Sequence, residues 1–580
     1  MSERDAAIQP TQHAFLVAWG RFAAEMGLIE AIQGVKLKQK KYRHAPQTKV
    51  LEFLVATLAG LKQLQEISLA AHPLDKDQAV AEAWEQPGWA DYTGVSRTLS
   101  GLSWEEVHAL IQALEQIGQP WLQAELDLLR RQGKRVRLDG DLTGIPVSST
   151  SQTYRNVAFG HMGDAIRLGY QASLVSLESP TYRRVWLSVA HHPGDTVSST
   201  QAEALVRAAE ARTGLRPRRR TECLRERIRA FREQIAPTER RLHVQQQALV
   251  EAQTRLSEAQ RQAEEWQSMV ASLEQSYQAR QRRERPTGWL AHARQRWQAA
   301  HKRCQSRDKV LQKAQARLAK TAARLAHQHA ELSQLEAYLA RLEQDNRTNP
   351  APLEIEFRLD AGFGTYENLA LLIELGYEVY TKPIGQWVTC FLKSQVTAQT
   401  EWTRVGGNAE MVAWPKMQLK RCPYPMDVAL ERFYTGKTLK HSALVHFGAD
   451  LVTQDLPAWF ERYNGRQLIE AGIKESKQVF YLHRIKVRSE PAIYFQEYCV
   501  LFAANFIRWA TQWLAQQQSP AEDALDVRKL GIKRQVQVAA HLSAHVIRDS
   551  TGWLLKFGEQ SAFADKVLRL SGGGCPALST

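Results

Sequence analysis

The chain has 580 residues, a formal net charge of +15 and a sequence pI near 9.5, so it is long enough for several domains and basic enough to favour a polyanionic partner. Its six cysteines (Cys223, Cys304, Cys390, Cys422, Cys499, Cys575) form no C-x-x-C pair and no Cys/His ligand spacing, which argues against a zinc site or a disulfide framework. The opening "MSERDAAIQPTQHAF" lacks a signal-type apolar stretch, and "VLEFLVATLAGL" and "YCVLFAANFIRWA" are too short or too interrupted to span a bilayer; a soluble cytoplasmic protein is expected.

Residues 1–130 read as a helical N-terminal domain. "TKVLEFLVATLAGLKQL" and "SWEEVHALIQALEQIGQPWLQAELDLLRR" repeat apolar residues at three and four, with Ser103 and Glu106 spaced as a capping box. "TGVSRTLSGLSWEEV" has the outline of a helix-turn-helix, and the basic run "KLKQKKYRH" at 36–44 suits DNA. The period then changes. "KRVRLDGDLTGIPV" (134–147) predicts a strand with carboxylates near its C-terminal end, and "IRLGYQASLVSLE" and "YRRVWLSVAHH" predict two more. "SSTQAEALVRAAEARTG" reads as a capped helix.

Residues 216–349 are compositionally distinct. Leu242, Leu249, Leu256, Ala263, Val270 and Tyr277 recur every seven, with Ala252, Ala259, Trp266 and Leu273 in the companion register. Leu311, Leu318, Leu325, Leu332 and Leu339 repeat the pattern after the break "RERPTGWL". Two long helices folded back as an antiparallel coiled coil are expected, with Pro237 kinking or restarting the first. Further basic runs stand at 216–220 and 280–285.

In "PLEIEFRLDAGFGTYENLALLIELGYEVYTKP" (352–383), Ile355, Phe357 and Leu359 alternate with charged residues. A strand ending at Asp360, an amphipathic helix and a second strand follow: a β-α-β unit with a carboxylate at the edge where open α/β sheets place their chemistry. Residues 384–458 look β-rich, with Trp387, Trp402 and Trp414 spread through them. Next comes "YNGRQLIEAGIKESK" (463–477). On one helix Arg466, Glu470 and Lys477 would lie about −60°, −20° and −40° from Tyr463, a single stripe with Lys474 beside it. Asp141, Asp360 and Glu470 are the kind of carboxylate set that holds two Mg²⁺ ions for phosphoryl transfer. His161 and Asp164 could supplement a metal site but better suit a turn, and His191 and His192 have no partner carboxylate at ligand spacing.

"DLT" at 141–143, "FRLDAGFG" at 357–364 and the Y-x2-R-x3-E-x6-K run resemble the DDE transposases of bacterial insertion sequences. The resemblance implies an α/β fold with an RNase H-like core, in which a mixed sheet is flanked by helices. That core would occupy 131–215, 350–383 and 459–515, interrupted by the coiled-coil hairpin at 216–349 and the β-rich insertion at 384–458, with a C-terminal region at 516–580. It further implies Asp141, Asp360 and Glu470 as catalytic ligands of Mg²⁺ or Mn²⁺, and Tyr463, Arg466, Lys474 and Lys477 as holders of DNA phosphates. Relatives stack a flipped base on tryptophan; Trp402, Trp387 or Trp414 would serve, although each also suits core packing. Asp139, two residues before Asp141, remains an alternative first ligand. The expected activity is strand cleavage and strand transfer on double-stranded transposon ends and target by a homodimer. A metal-dependent nuclease without strand transfer, or a catalytically inactive DNA-binding scaffold, are the alternatives.

Overall fold

A computed structural model of the protein describes residues 7–450, 452–518, 524–549 and 552–570; Cys575 lies outside them. The chain divides into two compact units, residues 219–350 and the remainder. The described cysteines are all free, and no helix among the described residues is long and apolar enough to cross a membrane.

In the larger unit, strand β1 (Ala7–Thr11) leads into α1 (Ala14–Glu25), α2 (Leu28–Gln33), α3 (Pro46–Leu58), α4 (Glu66–Leu69), α5 (Gln78–Ala83), α6 (Tyr92–Ser100) and α7 (Trp104–Arg131). At the start of α7, Ser103 accepts from the Glu106 amide while the Glu106 carboxylate accepts from the Ser103 amide, a reciprocal cap. Strands β2 (Val136–Pro146), β3 (Ala158–Met162), β4 (Ala165–Ser179) and β5 (Arg183–Pro193) follow, then α8 (Ala202–Thr213). The expected side-chain cap of α8 is absent, because "SST" is spent in a 3-10 turn and Gln201 begins the helix without a side-chain bond.

The smaller unit is a pair of antiparallel 59-residue helices, α9 (Thr221–Ala279) and α10 (Trp289–Arg347), each about 90 Å long at 1.5 Å per residue. Ion pairs Arg225–Glu343, Arg232–Glu336 and Glu239–His329 step by seven along both helices, and Glu274–Arg294 keeps the same register. Leu256, Ala259 and Val270 on α9 and Leu290 and Ala293 on α10 are buried along the seam. α9 does not restart at Pro237, which lies inside the helix.

The chain returns to the larger unit with β6 (Ile355–Leu359), α11 (Tyr366–Glu374), β7 (Glu378–Thr381), α12 (Trp387–Gln395), β8 (Thr403–Arg404), β9 (Ala409–Met417), β10 (Met426–Thr435) and β11 (Thr438–Phe447). The stretch expected to be β-rich therefore starts with a helix, and Trp387 stands on α12. Helices α13 (Leu456–Asn464), α14 (Gln467–Gln478), α15 (Glu490–Gln517) and α16 (Ile532–Gln537) lead to β12 (Ala544–Asp549), β13 (Gly552–Phe557) and β14 (Val567–Leu570).

Two sheets result. β2 joins antiparallel β4 on one side and parallel β6 on the other; β6 joins parallel β7, and the antiparallel meander β11-β10-β9-β8 extends that edge. β3 and β5 both pair with β4. The second sheet, β1-β12-β13-β14, unites the chain's two ends. Between them lies α15, buried along most of its length; Asn505 on it both donates to and accepts from the Trp186 backbone on β5, at 2.9 Å each way. α1, α3 and α7 share one apolar core with α15, so the N-terminal helices belong to the same body as the mixed sheet. The alternation in β6 has a different meaning from the one expected: Glu356 and Arg358 are buried too, and the strand has one apolar and one ionic inner face.

Candidate active site

The register of the central strands brings the first two carboxylates together. β2 and β6 run parallel with Gly140 opposite Leu359, so Asp141 and Asp360 are the next residues on adjacent strands. β2 continues to Pro146 against β4, which places Asp141 inside the strand, beside the point where its parallel neighbour stops. Asp360 opens the turn to α11, and its carbonyl accepts from the Thr381 hydroxyl at the end of β7.

Glu470 arrives on α14, and Arg466 at the start of that helix ties the three acids together. Its Nη1 lies 3.2 Å from Asp141 and its Nη2 3.4 Å from Asp360, while Nη2 also pairs with Glu470. Carboxylates 110 to 329 positions apart in sequence thus meet on one guanidinium that is 8% exposed. Asp141 is nearly enclosed; burial pushes its carboxyl up to about 6, opposed by Arg466 and reinforced by Asp360. Burial holds the Lys477 ammonium below its usual range, with the Asp141 charge opposing the shift; seven residues after Glu470, this lysine lies on the same face of α14. Lys474 is exposed.

Asp139 is removed as a ligand by its own partners. Only 1% exposed, it accepts from Arg358 at both oxygens, 2.7 and 2.8 Å, and Arg358 also reaches Glu178 at 2.7 Å. Tyr463 is buried among Tyr380, Trp459 and Phe460, with its hydroxyl beside Arg466 and Lys382 over its ring. It supports the arginine and offers no open ring. Trp402 has Arg432 4.0 Å above its ring; Trp387, against Tyr366, is the more exposed of the two. His161 and Asp164 flank the β3–β4 turn. His191 does find a carboxylate, Glu497 on α15 at 2.8 Å, a partner 306 residues away that local spacing could not show.

The expected single helix over 463–477 is broken between α13 and α14. Arg358 Nη1 donates to the Arg462 carbonyl at 3.0 Å, the acceptor the Arg466 amide would use in a continuous helix; that amide turns to Tyr463 instead. Arg184 on β5 also donates to a carbonyl of this segment, that of Leu468, and to Glu475, but α14 runs on without a break there. Both arginines fit because glycine faces them. A Cβ on Gly465 would come 2.3 Å from Arg358 Nη1, and one on Gly472 would come 2.3–2.5 Å from the Arg184 guanidinium. These glycines are seven apart, on the face opposite the Tyr463–Glu470–Lys477 stripe. Gly472→Ala is therefore expected to lower stability by about 1–3 kcal/mol, the cost of overpacking a filled site; an unchanged melting temperature would show that Arg184 is not held there.

Sequence reasoning missed Arg358, Arg184, Gly465 and Gly472. The available signal was the glycine pair at heptad spacing behind the charged stripe; for Arg358 and Arg184 the sequence offered none.

The donor set suits a hard divalent cation: oxygen ligands only, two of them solvent-accessible. Among the described residues, however, no three acidic, His or Cys side chains are already drawn together as a metal site. Arg466 compensates the three carboxylates. No protein-family model matches the chain, and no curated protein matches it significantly.

Proposed function

We propose that the protein is a metal-dependent DNA strand-transfer enzyme of the transposase type, with an RNase H-like core formed by β2, β4–β7, α14 and α15. The observation that carries this reading is the convergence of Asp141, Asp360 and Glu470 on one guanidinium from three remote segments. Structural carboxylates do not need such company; two-metal phosphoryl-transfer sites do. Asp141, Asp360 and Glu470 would hold Mg²⁺ or Mn²⁺, and the ion would supply activation of water or a 3′-hydroxyl and charge compensation at the leaving oxygen. The chain's own cations bind the polyanion: Lys474 and Lys477 reach phosphate beside the carboxylates, and Arg466, released from them, offers a bidentate fork. Below about pH 6 Asp141 keeps its proton and is a poor ligand. A homodimer on DNA would bring two ends together.

The test is incubation of the purified chain with labelled duplexes from the flanks of its own gene, a target plasmid and Mg²⁺. Joined products support strand transfer; cleavage alone means a nuclease. Binding alone means a DNA-binding scaffold, a reading favoured by one observation, the arginine already filling the acidic site. A separate prediction addresses that arginine. Arg466→Ala leaves three carboxylates uncompensated, so it is expected to melt below the parent in EDTA and to gain more from Mn²⁺. A tenfold tighter site would be worth about 1.4 kcal/mol, read as the difference in Mn²⁺-dependent melting between the two proteins. Equal Mn²⁺ responses would mean that Arg466 and metal do not compete.

A further inference from the structure

On the side of α14 away from Glu470 the chain encloses a second cavity, of about 740 Å³, into which Leu468, Ala471 and Glu475 face. Four arginines line it: Arg183 and Arg184 from the start of β5, Arg508 from α15, and Arg528 from the segment before α16. Glu475 is the single acid in the wall, and it is shared between Arg184 at 3.1 Å and Arg508 at 2.9 Å. Among the described residues, Arg183 and Arg528 have no carboxylate partner. Arg184 is 5% exposed and its buried Nε makes no hydrogen bond. Cations crowded into a half-closed space with one carboxylate between them call for an anion; burial, then the Arg508 charge, bring Arg184 down to about 10.

Arg183 adds a second line of argument. The β4–β5 hairpin places it at φ 64°, the left-handed conformation that glycine adopts at no cost and other residues at about 1–2 kcal/mol. The remaining wall is mixed. Tyr182, Leu530 and Ile532 are an apolar and aromatic surface too large for inorganic phosphate alone, and the buried Gln512 carbonyl oxygen has no donor. The volume falls within the range of small-molecule sites.

We propose that this cavity binds a mononucleotide, with phosphates on the four arginines, the base against Tyr182, Leu530 and Ile532, and a ribose hydroxyl or base N–H donating to Gln512. Phosphate oxygens there compete with Glu475 for Arg184 and Arg508, the same arginines that hold α14 through Glu475 and the Leu468 carbonyl. Nucleotide occupancy thereby acts on the helix that carries Glu470, from its far side.

Isothermal titration of the full chain tests this with three probes: ATP, inorganic phosphate and an eight-residue oligothymidylate. ATP is expected to saturate one site per chain, and Arg183→Gly and Arg528→Ala are each expected to weaken it about tenfold or more, the worth of one charge-assisted hydrogen bond. Arg183→Gly should at the same time melt at or above the parent temperature, because glycine relieves the left-handed backbone; a general loss of fold would lower both readings together. Should that variant misfold, Arg528→Ala, at an exposed position, carries the comparison alone. Absence of saturable ATP binding, or equal affinity in parent and variants, overturns the assignment. Saturation by oligothymidylate but not by ATP overturns it as well, giving the arginines to a nucleic-acid strand. None of these outcomes depends on whether the chain cleaves DNA.

Discussion

Arg358→Met is expected to lower the free energy of unfolding by ~3–5 kcal/mol, the effect of leaving one partner of a buried ion pair alone. Asp139 would be stranded with almost no access to water, Glu178 would lose its 2.7 Å partner, and the Arg462 carbonyl its donor. Chemical denaturation measures the loss. The paired change Asp139→Leu with Arg358→Met is expected to recover most of it, since apolar isosteres often replace buried ion pairs without penalty. Recovered stability should not restore the site, because the break between α13 and α14 that aims Arg466 depends on the guanidinium itself. A single variant as stable as the parent would show that the cluster braces nothing.

Asp141→Asn has two expected effects of opposite sign. On the proposed function, strand cleavage should fall ~10³-fold or more, because several kilocalories of transition-state charge stabilisation would leave with what would be a metal ligand. Folding stability should rise at neutral pH. The carboxyl titrates at about 6 in the folded chain against an ordinary 3.8, so the fold favours the protonated form. Relative to a permanently neutral side chain, the parent is therefore equally stable below about pH 4, loses stability between pH 4 and 6, and stands on the order of 2–3 kcal/mol lower above that. Asparagine does not titrate, so thermal melts of parent and variant should coincide near pH 4 and separate by pH 7–8. A variant less stable than the parent at pH 8 would contradict the burial argument.

The β-α-β unit around Asp360, the strands through 134–192 and the heptad hairpin were legible because each rests on local periodicity and turn residues. So was the meeting of three acidic residues on one arginine, which spacing and resemblance imply. What escaped was set by partners far along the chain. Strand β1 reads as nothing by itself and forms only because β12 offers an edge more than 500 residues later. Arg358 looked like the outward half of an alternating strand, and only the arrival of α13 and α14 turns that face inward. The same guanidinium interrupts a helix whose sequence is otherwise continuous, so the stripe drawn on a regular wheel held for Glu470, Lys474 and Lys477 while Tyr463 fell on another element. Asp139 and Asp141 share one strand face; D-x-T favours Asp141, and the Arg358 guanidinium, which occupies both oxygens of Asp139, takes the alternative away.

The feet of the long hairpin grip each other. The Arg219 amide donates to the Asn346 side chain at 2.7 Å, Asn346 donates back to the Arg219 carbonyl at 3.0 Å, and Arg219 pairs with Asp345 at 2.9 Å. An excursion of well over a hundred residues that leaves and returns through one clasp imposes on its host the entropy of a tight turn. Its reach can therefore vary by whole heptads, in nature or by design, without disturbing the alignment of β2 with β6.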